Sequence, residues 1–336
     1  MTNDNPITMK DMAKVLGISV ATVSRALKDS PMISEEVRER VKAYAREHNF
    51  RPNILASHLR LANPPHVKII GVIVPELVHY YFSTVLAGIE EEASRRGYMY
   101  VIAQSNEDYE REVRICQRFF ETRACGVIVS QTKNTHQYDH FKHLQDAGIP
   151  LVFFDRICTG IDASRVVVDD YNGTLNAVRH LISKGRKRIA FYGSSTTLEI
   201  AKNRYNGYID ALRQAHLTTD KQLTIECDSA EMAERITMHF VNTLHPDAIF
   251  CINDMAAVAA VNTQKKNGIR VPEDIDVACF TDSSITRFCD PPLTVVDQRG
   301  REVGRNAADI LISQVEGTLP IDKPAKRIVK TKLIIR

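Results

Sequence analysis

Small and polar side chains follow one another over residues 19–25, at spacings that place them along one side of a short helix whose other side is apolar. Such a surface can approach the floor of a DNA major groove closely. There Arg25 could donate two hydrogen bonds to the O6 and N7 atoms of guanine, and Val20 and Ala21 could touch thymine methyl groups. The competing interpretation is a solvated face of a small helical bundle.

Three short helices are predicted to position this surface. The apolar residues of 9–16 have helical spacing and are followed by Gly17, a usual residue after a helix carboxyl end, which predicts a first helix. Ser19 is the expected N-cap of a second helix over residues 20–27. A third is predicted over residues 35–49, with two glutamates in its positive first turn. The first two helices and their turn make a helix-turn-helix motif.

A fourth helical segment is very short. Residues 51–60, RPNILASHLR, offer Asn53 as an N-cap and then one or two helical turns before two consecutive prolines. An isolated helix of that length is marginal in water, where roughly 12 to 15 residues are normally needed. We therefore expect this segment to become helical only when a partner holds it.

Three histidines form the one cluster with metal-ligand spacing. His136, His140 and His143 could present three imidazoles on one helix face, but no cysteine or carboxylate motif accompanies them. A solvated helix face is the favoured interpretation, and no metal site is predicted. The motifs GxxxxGK[ST], GxGxxG, HExxH, GxSxG and CxxC are absent from the sequence, so neither an enzyme nor a cofactor is predicted.

Charge divides the chain into two unequal parts. The 336 residues correspond to about two domains at roughly 150 residues each, and 44% hydrophobic with 25% charged residues is a globular composition. Residues 1–66 contain ten Lys/Arg and seven Asp/Glu, whereas residues 67–336 contain 34 of each, so the whole net charge of +3 lies in the first fifth. A small basic module on a neutral body predicts a polyanion-binding head.

Sequence features also indicate the compartment. The amino terminus has no positively charged segment followed by an apolar core, so no secretory signal is expected and the chain should remain in the cytoplasm. No stretch approaches the ~18 consecutive apolar residues of a membrane-spanning helix, so no membrane insertion is expected. The seven cysteines are widely spaced and are predicted to be reduced core thiols.

From residue 68 onward, short apolar runs alternate with amphipathic helical segments. KIIGVIV, YMYVIAQ, CGVIVS and PLVFF are runs of the first series, and KRIAFYG, DAIFCI and IDVACF belong to a second. This alternation predicts two α/β units with parallel strands that are buried on both faces. Such units place a ligand outside the carboxyl ends of their strands, in the cleft between them.

The stretch ITMKDMAKVLGISVATVSRALKDSPMISEEVRERVKAYAREHNFRPNILASHLR resembles, over its full length, the DNA-binding head of the LacI/GalR family of bacterial transcription regulators. Two motifs carry the resemblance, D-x-A-x-x-x-G-[IV]-S-x-A-T-V-S-R and F-R-P-N-x-x-A-x-x-L. The resemblance continues, more loosely, to the carboxyl terminus, where the chain is similar to a periplasmic sugar-binding protein.

The resemblance implies a role for each matching position of the head. Contacts with DNA phosphates fall to Ser19, Thr22 and Ser24, and contacts with base edges to Val20, Ala21 and Arg25. The hinge helix includes Asn53, Ala56 and Leu59. Of these, Leu59 would insert into the minor groove at a central base step, where bending the duplex recovers the cost of unstacking.

In the large module the resemblance implies a small effector, a sugar or sugar derivative, bound between two subdomains. The implied effector contacts are Tyr81, Phe82, Asp155, Arg204, Asn253, Asp254 and Thr281. An arginine fork donates to hydroxyl oxygens, while carboxylate and amide oxygens accept from hydroxyl protons. Thr281 stands where the family has an effector-binding aspartate, so it can bond but brings no charge.

These positions also have ordinary structural interpretations. Asp155 and Arg156 could be a loop pair. Asn253 with the residue after it could form a helix N-cap. Tyr81 and Phe82 could be core packing.

The predicted fold is an all-α helix-turn-helix DNA-binding head with a hinge helix, followed by an α/β, periplasmic-binding-protein-like effector domain of two Rossmann-like, parallel-sheet subdomains. The head is assigned to residues 7–50 and the hinge helix with its linker to 51–66. The first subdomain is assigned to 67–167 and 298–322, and the second to 168–297 and 323–336.

The predicted function is that of a cytoplasmic regulator, a repressor, whose affinity for double-stranded, pseudo-palindromic operator DNA depends on the effector. A homodimer is expected because one head contacts only half a site. No heptad extension follows the final TKLIIR, so a tetramer is not expected. One alternative is a small-molecule binding protein without a gene-regulatory role. An enzyme is a further alternative, disfavoured because no nucleophile or base motif accompanies the aspartates.

Overall fold

The computed structural model describes residues 7–48, 50, 67–195 and 197–336, and the chain divides into two compact units after Val67. The first unit contains helices α1 (Met9–Leu16), α2 (Val20–Leu27) and α3 (Glu35–Glu47). Thr8 caps α1 through a capping box with Asp11, and Gly17, at φ +68°, ends it. These helices are the predicted ones, and α3 is two residues shorter than expected.

A small apolar core holds the three helices together. Its buried members are Met12, Ala13, Val23, Ala26, Val41 and Ala45. Val15, one of the apolar residues behind the prediction of α1, is 61% exposed instead. In an eight-residue helix only a narrow stripe can face the core, and Met12 and Ala13 occupy it.

The second unit contains two lobes, each built on one six-stranded sheet. The first lobe begins with the elements β1 (Val67–Val74), α4 (Tyr80–Arg95), β2 (Met99–Gln104), α5 (Tyr109–Glu121), β3 (Ala124–Val129), α6 (Asp139–Asp146), β4 (Leu151–Phe154) and β5 (Ser164–Val168). Its strand order is β11-β5-β4-β3-β1-β2, in which β11 is Lys326–Val329. Every residue of β3 and β4 is buried, as expected for parallel strands covered by helices on both faces.

The second lobe repeats the pattern. Its elements are α7 (Asp170–Ser183), β6 (Ile189–Gly193), α8 (Glu199–Gln214), β7 (Thr224–Glu226), α9 (Ala230–Leu244), β8 (Ala248–Cys251), α10 (Asp254–Lys266), β9 (Asp276–Phe280), α11 (Ser284–Phe288) and β10 (Thr294–Asp297). The strand order is β12-β10-β9-β8-β6-β7, in which β12 is Lys332–Ile334, and among the described strands of this sheet only β12 pairs antiparallel. Six of the seven cysteines are buried, and all are unpaired thiols.

After β10 the chain returns to the first lobe. Helix α12 (Gly300–Val315) packs on α4 so closely that a Cβ atom at Gly304 would overlap the carbonyl oxygen of Val85. Strand β11 (Lys326–Val329) then pairs in parallel with β5, and β12 (Lys332–Ile334) pairs with β10.

The assignment of residues 323–336 to the second subdomain is therefore wrong for Lys326–Val329. This strand satisfies the otherwise open edge of β5, and the chain crosses to the second lobe only after it. None of the helices within the described residues is long and apolar enough to cross a membrane.

Candidate DNA-facing helix and ligand cleft

Helix α2 presents the polar surface that the sequence predicts. Ser19 is its N-cap, and the Ser19 Oγ atom accepts a hydrogen bond from the Thr22 backbone N–H over 3.0 Å. The two hydroxyl oxygens, Ser19 Oγ and Thr22 Oγ1, lie 2.8 Å apart. Both hydroxyls therefore lie at the positive amino-terminal end of the helix, where a phosphate oxygen is favoured.

The rest of this surface is accessible. Val23 and Ala26 are buried against the other helices, whereas Ala21 and Arg25 are exposed and Val20, Thr22 and Ser24 are half-buried. Within the described residues, the Arg25 guanidinium donates no hydrogen bond and forms no ion pair. The predicted hinge positions Asn53, Ala56 and Leu59 lie outside the described residues.

In the second unit, the carboxyl ends of the parallel strands of both sheets line one cleft of about 470 Å³. Loops after β1 to β4 supply the wall from the first lobe, and loops after β6 to β10 supply the wall from the second. The cleft brings together all seven predicted effector positions, which are Tyr81, Phe82, Asp155, Arg204, Asn253, Asp254 and Thr281. This is where open parallel sheets are expected to bind a ligand.

Arg204 is held rigidly on α8. Its Nε donates to Asp170 Oδ1 over 2.8 Å, and one terminal nitrogen donates to the carbonyl oxygen of Ile252 over 2.9 Å. The guanidinium carbon lies 3.9 Å from the centroid of the Phe280 ring, a cation–π contact. Burial raises the pKa of Asp170 to about 6, although Arg204 acts in the opposite direction. Sequence analysis missed both Asp170 and Phe280.

Asp155 follows β4 directly and has a left-handed backbone, with φ at +56°. Its backbone N–H donates to the carbonyl oxygen of Val166, but its carboxylate accepts no hydrogen bond from any residue that the structure describes. Burial raises the pKa of this carboxyl group, although Arg156 and Arg204 oppose the rise. The Asp155 carboxylate is therefore available to a ligand.

Tyr81 and Phe82 lie at the first turn of α4. The Tyr81 hydroxyl is buried without a hydrogen-bond partner among the described residues, and burial, together with the charges of Asp155 and Asp170, raises its pKa well above the usual value. Phe82 packs edge-on against the ring of Phe154, as the core-packing interpretation expects. Tyr81 thus offers a polar atom to the cleft, and Phe82 offers apolar surface.

Asn253 acts as the N-cap of α10, as its ordinary structural interpretation expects. Its Oδ1 accepts from the backbone N–H of Ala256, and its Nδ2 donates to the carbonyl oxygen of Asp228, both over 2.8 Å. Its neighbour Asp254 is 3% exposed, and among the residues that the structure describes only one bond reaches its carboxylate, from the N–H of Met255 to Oδ1. Asp254 therefore has more free acceptor capacity toward the cleft than Asn253 has.

Thr281 lies at φ +82°, which is unusual for a β-branched residue. Its hydroxyl donates to Gln298 Oε1 over 3.1 Å. Gln298, which also lines the cleft, is 5% exposed and follows β10 as the chain returns to the first lobe. The sequence analysis did not identify Gln298, although a polar residue directly after a buried strand was the signal available.

One ion pair joins the two walls of the cleft. Lys133, after β3, has its Nζ 3.9 Å from Oδ2 of Asp228, which follows β7. The same Asp228 oxygen accepts from the Ser194 hydroxyl over 3.0 Å. On the first-lobe side, Arg156 pairs with Glu107.

The three histidines have separate environments. His140 is buried, and its Nε2 lies 3.1 Å from Glu112 Oε1, which also accepts from the Thr135 hydroxyl. His136 instead packs against the ring of Tyr109. Interpreting the cluster as a solvated face is thus wrong for His140. The structure, over the residues it describes, contains no group of three or more His, Cys, Asp or Glu side chains that could hold a metal ion.

Comparisons with known proteins agree with these features. The family described as "Periplasmic binding proteins and sugar binding domain of LacI family" matches residues 67–336. The family described as "Bacterial regulatory proteins, lacI family" matches residues 8–53. Both matches confirm the resemblance and the two-part fold predicted from the sequence.

Individual relatives cover nearly the whole chain. The HTH-type transcriptional repressor PurR of Vibrio atlanticus (strain LGP32) is 29% identical over 313 residues, which are 92% of each protein. The repressor CytR of Escherichia coli (strain K12) is 29% identical over 335 residues, 98% of this chain and 95% of CytR. A lac repressor dimer bound to operator and the anti-inducer ONPF shares the fold, with a TM-score of 0.85, 24% identity and coverage of 99% and 98% of the two chains. From the family matches over residues 8–53 and 67–336, we conclude that the chain belongs to the LacI family of bacterial regulatory proteins.

Proposed function

We propose that this chain is a transcriptional repressor that binds a pseudo-palindromic operator as a homodimer in the bacterial cytoplasm, and that a small effector controls its operator affinity. One observation carries the proposal: a single chain combines the exposed polar face of α2 with a cleft lined by partly unsatisfied polar groups. The relatives named above are repressors, and the family is one of regulatory proteins.

We assign residues 7–50 to the DNA-binding head and residues 51–66 to the hinge. In this assignment Ser19, Thr22 and Ser24 bind phosphates, and Val20, Ala21 and Arg25 contact base edges. Asn53, Ala56 and Leu59 act in the hinge, with Leu59 as the minor-groove wedge. A two-fold dimer then contacts two half-sites of a palindrome.

We assign the cleft of the second unit to the effector. A buried arginine donor beside free carboxylate acceptors suits a compound with several hydroxyl groups, and the matching family includes sugar-binding domains. Effector binding between the lobes would favour one lobe arrangement over others and so change operator affinity, as differential binding to two states requires.

Selection of bound duplexes from a random DNA pool by the purified full chain tests the DNA-binding part. We expect an enriched palindrome with a flexible pyrimidine–purine step at its centre, with or without cell extract present. Affinity for it should fall with salt at a log–log slope of about −0.9 per neutralised phosphate. Absence of any enriched sequence, or a flat salt response, would favour the alternative of a small-molecule binding protein without a gene-regulatory role.

A further inference from the structure

The charges that line the cleft are not balanced. The four basic side chains on the described part of its wall all have a carboxylate within ion-pair distance. Lys133 pairs with Asp228 at 3.9 Å, Arg156 with Glu107 at 2.5 Å, Arg204 with Asp170 at 2.8 Å and His79 with Glu76 at 3.1 Å. The positive charge of the cleft is therefore already matched by the protein.

Three further carboxylates on the cleft wall have no such partner. Within the described part of the chain, no lysine, arginine or histidine nitrogen lies within ion-pair distance of Asp155, Glu231 or Asp254, and Asp254 is 3% exposed. Burial raises the pKa of Asp155 more than Arg156 and Arg204 lower it, so the nearby cations do not fully compensate this carboxylate. The cleft consequently has a surplus of negative charge and of hydrogen-bond acceptors.

We propose that the effector of this chain carries no anionic group, and that its hydroxyl or amino hydrogens are donated to Asp155 and Asp254. The proposal rests on the proposed function, because it takes the cleft as the effector site. A phosphate or carboxylate on the same compound would be buried beside an uncompensated carboxylate, and like charges placed together at a binding site are strongly disfavoured. We expect discrimination of at least about a hundred-fold between a compound and its phosphorylated counterpart.

Apolar surface of the cleft fits the same class of ligand. Three apolar residues line it, namely Phe82, Leu198 and Ile252, at 4%, 8% and 8% exposure. A ligand ring can pack the face formed by its C–H groups against them while the hydroxyl groups at its edge bind the carboxylates.

Arginine is a common phosphate ligand, and Arg204 is the one deeply buried cation on the described wall. Asp170, however, already accepts a hydrogen bond from the Nε of Arg204 and neutralises the charge of Arg204. Arg204 is thus left to donate to a neutral oxygen.

Fractionated cell extract tests the charge of the effector without knowledge of its identity. Small molecules from the source bacterium are passed over an anion exchanger at pH 8, which separates an unretained pool of neutral and cationic compounds from a retained anionic pool. The thermal unfolding midpoint of the full chain is then measured with each pool. We expect the unretained pool to raise the midpoint. A rise from the retained pool alone, or from neither pool, would overturn the proposal.

Titration calorimetry with paired compounds gives a second test of the effector's charge. The pairs are ribose and ribose 5-phosphate, glucose and glucose 6-phosphate, and adenosine and AMP. Any probe that binds should be the unphosphorylated member of its pair; tighter binding of a phosphorylated member would contradict the proposal.

Two variants show whether the carboxylates are responsible. Asp155→Asn and Asp254→Asn should each weaken binding of the active compound from the unretained pool about ten-fold or more. Each should also reduce the ratio between the affinity for a neutral compound and the affinity for its phosphorylated counterpart. Asp146→Asn, an exposed carboxylate on α6, is the matched control and should leave both unchanged. If one cleft variant fails to fold, the other makes the same test. Operator binding by the unmodified chain is measured separately, so failure of the regulator function and failure of this inference are distinguishable.

Discussion

Arg204 and Asp170 form a buried ion pair in which the Nε of Arg204 donates to Asp170 Oδ1 over 2.8 Å, with 7% and 5% of the two residues exposed. Phe280 covers one face of the guanidinium, and the carbonyl oxygen of Ile252 accepts a further hydrogen bond from it. Three elements of the second lobe therefore fix the orientation of one side chain at the cleft. Such fixing reduces the rotamer entropy that a ligand would otherwise have to overcome.

Arg204→Ala is expected to lose effector response and folding stability together. Removing the arginine leaves Asp170 buried without its partner, which costs roughly 3 to 5 kcal/mol of unfolding free energy. Adding Asp170→Asn should recover part of that stability, because no uncompensated charge remains, while effector response stays absent and operator binding is retained. Urea denaturation and effector-dependent operator release measure the two properties. If Arg204→Ala alone were as stable as the wild type, the ion pair would be more hydrated than the structure indicates.

Asp170 should also give the protein an identifiable pH dependence. Burial raises the pKa of Asp170 from 3.8 to about 6, so the folded protein holds this proton more tightly than the unfolded chain does. Raising the pH from about 4 to about 6 therefore removes stability through this group, by up to about 3 kcal/mol. In Asp170→Asn the unfolding free energy should fall less over that window. Asp146→Asn, with its exposed carboxylate, should follow the wild-type profile; parallel profiles for all three proteins would refute the assignment.

The two lobes could be predicted because buried parallel strands are continuous apolar runs, and these runs alternate visibly with amphipathic helices. Asp155 and Asn253 were placed through the family resemblance, and each also lies close after such a run. Asp170 and Gln298 follow strands just as closely, so a search of every strand end for polar residues would have found them. The position of a residue at a strand end does not, however, predict which side chains of other elements it contacts.

Other features have no sequence signature of their own. In the sequence, Phe280 cannot be distinguished from the other apolar residues of β9. Its contact with Arg204 depends on how α8 packs on the sheet. Strand β11 has four residues of alternating exposure, a pattern that can complete the edge of either sheet. Its pairing with β5 follows from the path of α12, which the sequence of the strand does not encode.

Arg25→Ala tests the DNA-facing surface of α2. If Arg25 donates a bidentate pair to guanine, the variant should lose about 1 to 3 kcal/mol of operator affinity and relax the preference at one base pair of each half-site. Arg46→Ala, which removes an exposed arginine from α3 of the same module, is the matched control and should retain the preference. Binding measured across single-base operator variants gives the answer. An equal loss on every sequence would make Arg25 a phosphate contact.

The ion pair between Lys133 and Asp228 should favour a closed cleft, because it attracts the two lobes across the ligand site at 3.9 Å. Both side chains are more than 40% exposed, at 42% and 43%, so the pair contributes at most about 1 kcal/mol. Lys133→Gln should accordingly weaken effector binding by up to about five-fold at low salt.

Salt and a charge swap separate this effect from a general loss of packing. At about 0.5 M salt, where the Debye length is only a few ångströms, Lys133→Gln and the wild type should have the same measured affinity for the effector, because the charges are screened. The double variant Lys133→Glu with Asp228→Lys should recover part of the affinity that each single change loses. Asp228 also accepts from Ser194, so its reversal disturbs one hydrogen bond within the second lobe, and full recovery is not expected. An equal loss for Lys133→Gln at both salt concentrations would mean that Lys133 acts on the ligand through another contact, and that the lobes close without this pair.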